Sequence, residues 1–119
     1  MSEHDPDCLF CKIASGDIAC SKVYEDDEIL AFHDINPRRP VHFLIIPKRH
    51  IESLATLDEG DTLLLGKLLA IANRLAGEQG SPEGFRVIIN TGRIGQQEVE
   101  HLHVHVLGGK HPVGAMVSA

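Results

Sequence analysis

Residues 101–107 read His-Leu-His-Val-His-Val-Leu, and strict alternation of this kind leaves the backbone few options. Successive side chains of a β-strand point to opposite faces, so His101, His103 and His105 share one face while Leu102, Val104 and Val106 share the other. The apolar face packs into a core. Neighbouring histidines on the other face stand roughly 6.5 to 7 Å apart, a span suited to gripping a phosphate or a metal, and a core has no use for three imidazoles in register. That face therefore belongs at a rim or cleft.

Two chemistries suit such a strand. Histidines one residue apart can ligate a catalytic zinc through neutral imidazole nitrogens, and His42, His103 and His105 are the candidate set for a metallohydrolase. Alternatively, one imidazole is a nucleophile that forms a covalent intermediate. His103 is then the candidate: it is the middle residue, flanked on its own face by an imidazole on each side. Attack on phosphorus needs one unprotonated ring nitrogen, with the other holding its proton against a fixed acceptor such as a backbone carbonyl.

The chain has 119 residues, enough for one domain and a single two-layer core. A net charge of −6 argues against a nucleic-acid partner, whose binding would need many Lys and Arg contacts to phosphates. A small phosphorylated ligand needs only a local cradle, for which Lys48, Arg49 and Arg93 are candidates. Residues 1–7 are polar and acidic, unlike a targeting peptide, and no apolar run approaches a membrane span. A cytoplasmic location is expected. Cys8, Cys11 and Cys20 are an odd count, so a disulfide framework is not expected. The Cys8-x-x-Cys11 pair reads either as a metal half-site or as two reduced cysteines in a short helix.

Helical spacing of Leu9, Phe10, Ile13 and Ala14 predicts a short helix over 8–15, stopped at Gly16. Residues 23–25 and 29–32 predict a hairpin, residues 34–40 a loop fixed by two prolines, and 41–46 a buried strand. Thr56 with Glu59 fits a capping box, opening a main helix over 57–79 with Leu64, Leu68, Ile71 and Leu75 on one face. Leu65, Leu69, Ala72 and Ala76 widen that stripe beyond what one small core is expected to bury, which predicts a homodimer built on this helix. Strands over 85–90 and 101–107 complete an antiparallel sheet of about five strands in an α+β domain spanning 1–119, with 1–7 and 110–119 as flexible tails.

The triad stretch has the His-x-His-x-His-x-x form, x apolar, of the histidine triad (HIT) family. The resemblance extends to Phe32-His33-Asp34-Ile35-Asn36-Pro37, to residues 42–50, to Asn90-Thr91-Gly92 and to Gly95-Gln96-Gln97-Glu98-Val99, all in the order of its Hint-like branch. It implies a HIT-like fold and a homodimer that binds purine nucleotides and hydrolyses nucleoside phosphoramidates to a nucleoside monophosphate and an amine. Hydrolysis of dinucleoside polyphosphates, or nucleotide sensing and scaffolding with incidental turnover, are the alternatives within reach of the same family.

The resemblance also implies roles. His103 is the nucleophile, with His105 and His42 flanking it. Asp34 accepts from the ribose hydroxyls, although it also reads as an Asx-turn residue before Asn36-Pro37. Phe10, Phe32 and Ile35 sandwich the base; Asn90, Gln97 and Glu98 line the phosphate side. Zinc-bearing bacterial relatives resemble this chain in having ligands at Cys8, Cys11, His50 and His101, which implies a structural Cys₂His₂ zinc and no catalytic metal. Gln96, Glu98 and Glu100 depart from the usual residues of the branch, which bears on the leaving group.

Overall fold

The structure, a computed structural model, describes residues 4–117; the outermost parts of the two expected tails, residues 1–3 and 118–119, lie outside these. Five strands, Lys22–Glu25 (β1), Ile29–His33 (β2), Val41–Pro47 (β3), Arg86–Ile88 (β4) and Val104–Gly108 (β5), form one sheet in the order β1-β2-β3-β5-β4. Every pairing is antiparallel. Helix α1 (Leu9–Ser15) covers one face of the sheet and helix α2 (Thr62–Glu78) the other, which is the expected α+β architecture with one short and one long helix.

Alternation along β3 and β5 divides the molecule in two. Phe43, Ile45, Val104 and Val106 meet Leu64, Leu68, Ala72, Leu75 and Ala76 of α2 in the larger core. Leu44 and Ile46 point the other way and join Leu30, Phe32, Cys8, Phe10 and Cys11 under α1. Helix α1 ends where Gly16 takes φ 89°, a conformation that favours glycine.

Three boundaries differ from expectation, each for a local reason. Thr56 does not open the main helix. Its hydroxyl instead accepts from the Ser53 N–H and donates to the Ser53 carbonyl, closing a 3-10 turn over Leu54–Thr56. A second turn, Glu59–Asp61, is capped by Asp58, so α2 begins only at Thr62. Strand β4 has three residues because its pairing with β5 runs only from Arg86–Leu107 to Ile88–His105. Strand β5 starts at Val104, since the preceding residues bond elsewhere: Leu102 N–H donates to the Ile51 carbonyl and His101 N–H to the Val99 carbonyl.

The breadth of the α2 stripe is largely absorbed within the protomer. Ala72 and Ala76 are buried and Leu65 partly so, leaving Leu69 (42% exposed) and Leu63 (72% exposed) outside. Parts of both expected tails are tied down: the Asp5 N–H donates to Cys11 Sγ and the Val113 carbonyl accepts from Arg39.

Candidate functional site

The histidine face carries two sites, separated by one aromatic ring. Phe10, delivered by α1, packs edge-on against His101 on one side, with ring centroids 5.9 Å apart, and against His103 on the other, at 5.1 Å. His101 belongs to a cluster with the cysteines; His103 and His105 belong to an open cleft.

In the cleft, the backbone fixes the tautomers. His103 Nδ1 lies 2.7 Å from the His101 carbonyl, which can only accept, so Nδ1 holds the proton and Nε2 carries a free lone pair. His42, opposite Leu107 on β3 and on the same face as Leu44, receives the Arg38 N–H at its Nδ1, 3.0 Å away. In the neutral ring the proton is then on Nε2, 3.0 Å from His105 Nδ1. His105 accepts there, which leaves its own proton on Nε2. The result is a relay from Arg38 N–H through His42 to His105, ending in a donor on the ring beside His103, whose Nε2 is unprotonated; the His103 and His105 ring centroids are 5.1 Å apart. Burial lowers the His42 pKa and pushes His105 down to about 4, which keeps both rings neutral at pH 7.

The cleft has a volume of about 380 Å³ and is walled by Phe10, Leu44 and Val99 at its apolar end, within the roughly 300–1,000 Å³ typical of small-molecule sites. Asp34, Asn90 and Glu98 also line it. Asp34 is the Asx-turn residue, its Oδ1 accepting from the Asn36 N–H, while Oδ2 stands 3.4 Å from His42 Nε2 in the cleft. A larger cavity of about 540 Å³ between residues 81–86 and 108–115 gathers no histidine triad or relay.

Other expected site residues are placed elsewhere. Phe32 is buried behind Phe10, edge-on at 5.6 Å, and Ile35 is 92% exposed; neither lines the cleft. The Gln97 side chain is used to hold its own loop, accepting from the Gly92 N–H and donating to the Glu52 and Val99 carbonyls. Lys48 pairs with Glu25 and Arg49 with Asp61, away from the cleft, and Arg93 is not among its lining residues. The cation at the cleft is Arg38, four residues before His42. The loop 34–40 reads from sequence only as a proline turn; its signal was two adjacent arginines leading into a strand that carries a site histidine.

In the second site the expected four residues converge. Cys8 Sγ is 3.3 Å from His101 Nδ1, and Cys11 Sγ is 3.3 Å from His50 Nδ1. One ligand atom from each of the four lies within 4.8 Å of all the others. His101 Nε2 is 2.8 Å from the Pro47 carbonyl, so its proton is on Nε2 and Nδ1 is free to ligate. Backbone N–H groups of Cys11 and Asp5 point at the two sulfurs, the arrangement that stabilises thiolates. Burial otherwise raises the Cys11 thiol to about 11. Two sulfurs and two imidazole nitrogens in a closed, buried cluster fit a tetrahedral metal ion. The triad imidazoles do not form such a set: the carboxylate and imidazoles within ligand distance in the cleft are Asp34, His42 and His105, without His103.

Residues 7–119 match a family model described as "Scavenger mRNA decapping enzyme C-term binding". The chain is 48% identical over 101 residues to protein HitA of Neisseria gonorrhoeae, covering 85% of this chain and 94% of HitA. It belongs to the histidine triad family. Solved HIT-family structures agree in fold. A histidine triad protein from Clostridium difficile superposes with a TM-score of 0.89 at 45% identity, covering 95% of this chain and 99% of that one. A HIT family hydrolase from Legionella pneumophila gives 0.85 at 47% identity, with 88% and 95% covered.

Proposed function

We propose that this HIT protein hydrolyses purine nucleoside phosphoramidates through a nucleotidyl-histidine intermediate. The observation that carries the reading is the pair of tautomers in the cleft: an unprotonated His103 Nε2 beside a protonated His105 Nε2. His103 Nε2 attacks the α-phosphorus and the phosphorus–nitrogen bond breaks. With the anionic phosphate bound, the His42–His105 pair takes up a second proton; His105 Nε2 then gives a proton to the departing nitrogen, which leaves as the amine, and the pair returns to neutral. Water, giving a proton back to His105, then cleaves the phosphorus–histidine bond and releases the nucleoside monophosphate.

In this reading Phe10, Leu44 and Val99 hold the base, Asp34 takes the ribose hydroxyls, and Asn90 and the backbone near Glu98 face the phosphate. His42 sets the tautomer of His105 and acts through it. A zinc ion held by Cys8, Cys11, His50 and His101 supplies structure only, tying α1 to the sheet. Two copies assemble through the outer side of α2, where Leu63 and Leu69 are exposed and Gly66 has open space. The site is complete for a small nucleotide and needs no nucleic acid or membrane, and free cysteines suit a cytoplasmic home.

A panel of adenosine and guanosine phosphoramidates and dinucleoside polyphosphates, with and without chelator, tests the reading. It expects phosphoramidates to be the better substrates and turnover to be lost in His103→Ala while AMP still binds. Faster cleavage of the polyphosphates would contradict it. Activity that collapses at once on chelation, with fold intact, would favour a metal held by Asp34, His42 and His105.

A further inference from the structure

The chain has eleven Lys and Arg, and five of them are in ion pairs among the described residues. Lys22, Lys48, Arg49, Lys67 and Arg74 are all paired with carboxylates. Arg38, Arg39 and Arg86 are in no ion pair among the described residues, and they line one cavity of about 240 Å³ together with Leu107 and Met116. The Arg38 guanidinium makes a single hydrogen bond, from Nε to the Asn36 carbonyl at 3.3 Å. Arg39 is held to neutral carbonyls, with Nη2 2.7 Å from Val113 and Nη1 2.6 Å from Arg38. Three guanidinium groups around one small, partly apolar space repel one another unless an anion sits among them.

The position of this cavity gives it a role. It shares Arg38, Ile88 and Leu107 with the nucleotide cleft, so the two adjoin. Along the histidine strand the order is Phe10 against His103, then His105, then Leu107. The base wall is therefore at one end and the arginines are at the other, just past the proton donor. A leaving nitrogen protonated by His105 Nε2 projects its substituent into the arginine cavity. The arginines act on the relay as well: besides burial, Arg38 and Arg39 lower the His42 pKa.

We propose that this arginine cavity is a leaving-group subsite, and that it selects substrates whose departing amine carries an anionic group, a carboxylate or a phosphate. Guanidinium groups match either oxyanion with paired N–H donors. The proposal rests on the phosphoramidase reading above, because that reading supplies the amine.

Three AMP phosphoramidates test it, made from propylamine, from β-alanine and from 2-aminoethyl phosphate, which share an aminoethyl unit and end in a neutral methyl, a carboxylate and a phosphate. The wild-type protein is expected to favour both anionic substrates by tenfold or more in kcat/KM, and the better of the two identifies the oxyanion. Arg86→Gln, remote from the triad, should bring the anionic-to-neutral ratio close to one; Arg86→Lys should retain part of it, and 0.5 M KCl should shrink it in wild type. A wild-type ratio near one, or an equal loss on all three substrates in Arg86→Gln, overturns the proposal. Should none of the three turn over, the reaction reading fails by itself, and the same ratios are read as Kd by competition against a fluorescent AMP. A ratio of ten or more there upholds the subsite, and a ratio near one overturns it.

Discussion

His105 takes its chemistry from a backbone group it never touches. The Arg38 N–H decides the His42 tautomer, and His42 decides that of His105, so the proton donor is set two links away. Replacing His42 by Ala frees His105 to choose either tautomer, and turnover should fall by roughly 10- to 1,000-fold without vanishing, as general-acid contributions of about 10²–10⁴ suggest. Steady-state kinetics check this, with AMP affinity as the control. The same burial has a stability consequence. His105 titrates near pH 4 when folded and near 6.5 when unfolded, so between those values the unfolded chain binds more protons. Stability is fully present above about pH 6.5 and declines as the pH falls towards 4. Water contact with this half-buried ring limits the slope to on the order of 1 kcal/mol per pH unit. Urea unfolding at pH 7 and pH 4.5 should show His105→Asn losing less stability between the two than wild type.

At the scale of elements, α1 couples the Cys/His cluster to the cleft. Cys8 and Cys11 bracket Phe10, so whatever fixes the sulfurs also fixes the wall beside His103. Cys11→Ala, or prolonged chelation, should raise KM several-fold with a smaller change in kcat and should lower Tm. Zinc measured in protein purified without chelator, at near one per chain, should disappear in the variant. The turn after β5 offers a packing test. A Cβ at Gly108 would collide with Ser81, whose hydroxyl donates to the Gly84 carbonyl and accepts the Gly109 N–H. Gly108→Ala should destabilise by roughly 1–3 kcal/mol, as overpacking does, visible in a thermal melt.

These elements were unequally legible. The alternation at 101–107 announced a histidine face, because period-2 patterning survives even where residues 101–103 leave the ladder. The start of α2 was not legible: Thr56 and Glu59 have capping-box spacing, yet the Thr56 hydroxyl bonds back to Ser53 and Asp58 caps the next turn by accepting the Gly60 N–H. Phe32 and Ile35 show the limit at the site. Both are apolar and near Asp34 in sequence, but β2 buries Phe32 behind Phe10, while Ile35 lies past the strand's end in the loop and is exposed. Arg38 and Arg39 escaped attention because a loop between prolines gives no period from which to read a side-chain direction.

For the whole molecule, the apolar surface of α2 is largely but not wholly covered by one sheet. Leu63 and Leu69 remain outside, and β4 is a three-residue edge strand with an open side. Covering both with a second copy predicts a dimer at micromolar concentration by sedimentation velocity. Leu63→Glu should shift the equilibrium to monomer by at least tenfold in Kd, and a monomer in the wild type would contradict the assembly.

In the proposed reaction His103 Nε2 is the atom that bonds to phosphorus. Rapid quench of the wild-type protein with an adenosine phosphoramidate, followed by peptide mass mapping, measures that directly. The predicted result is an adenylyl group on His103, formed within one turnover and absent in His103→Ala. An adenylyl group on His101 or His105, or full turnover by His103→Ala, would contradict it.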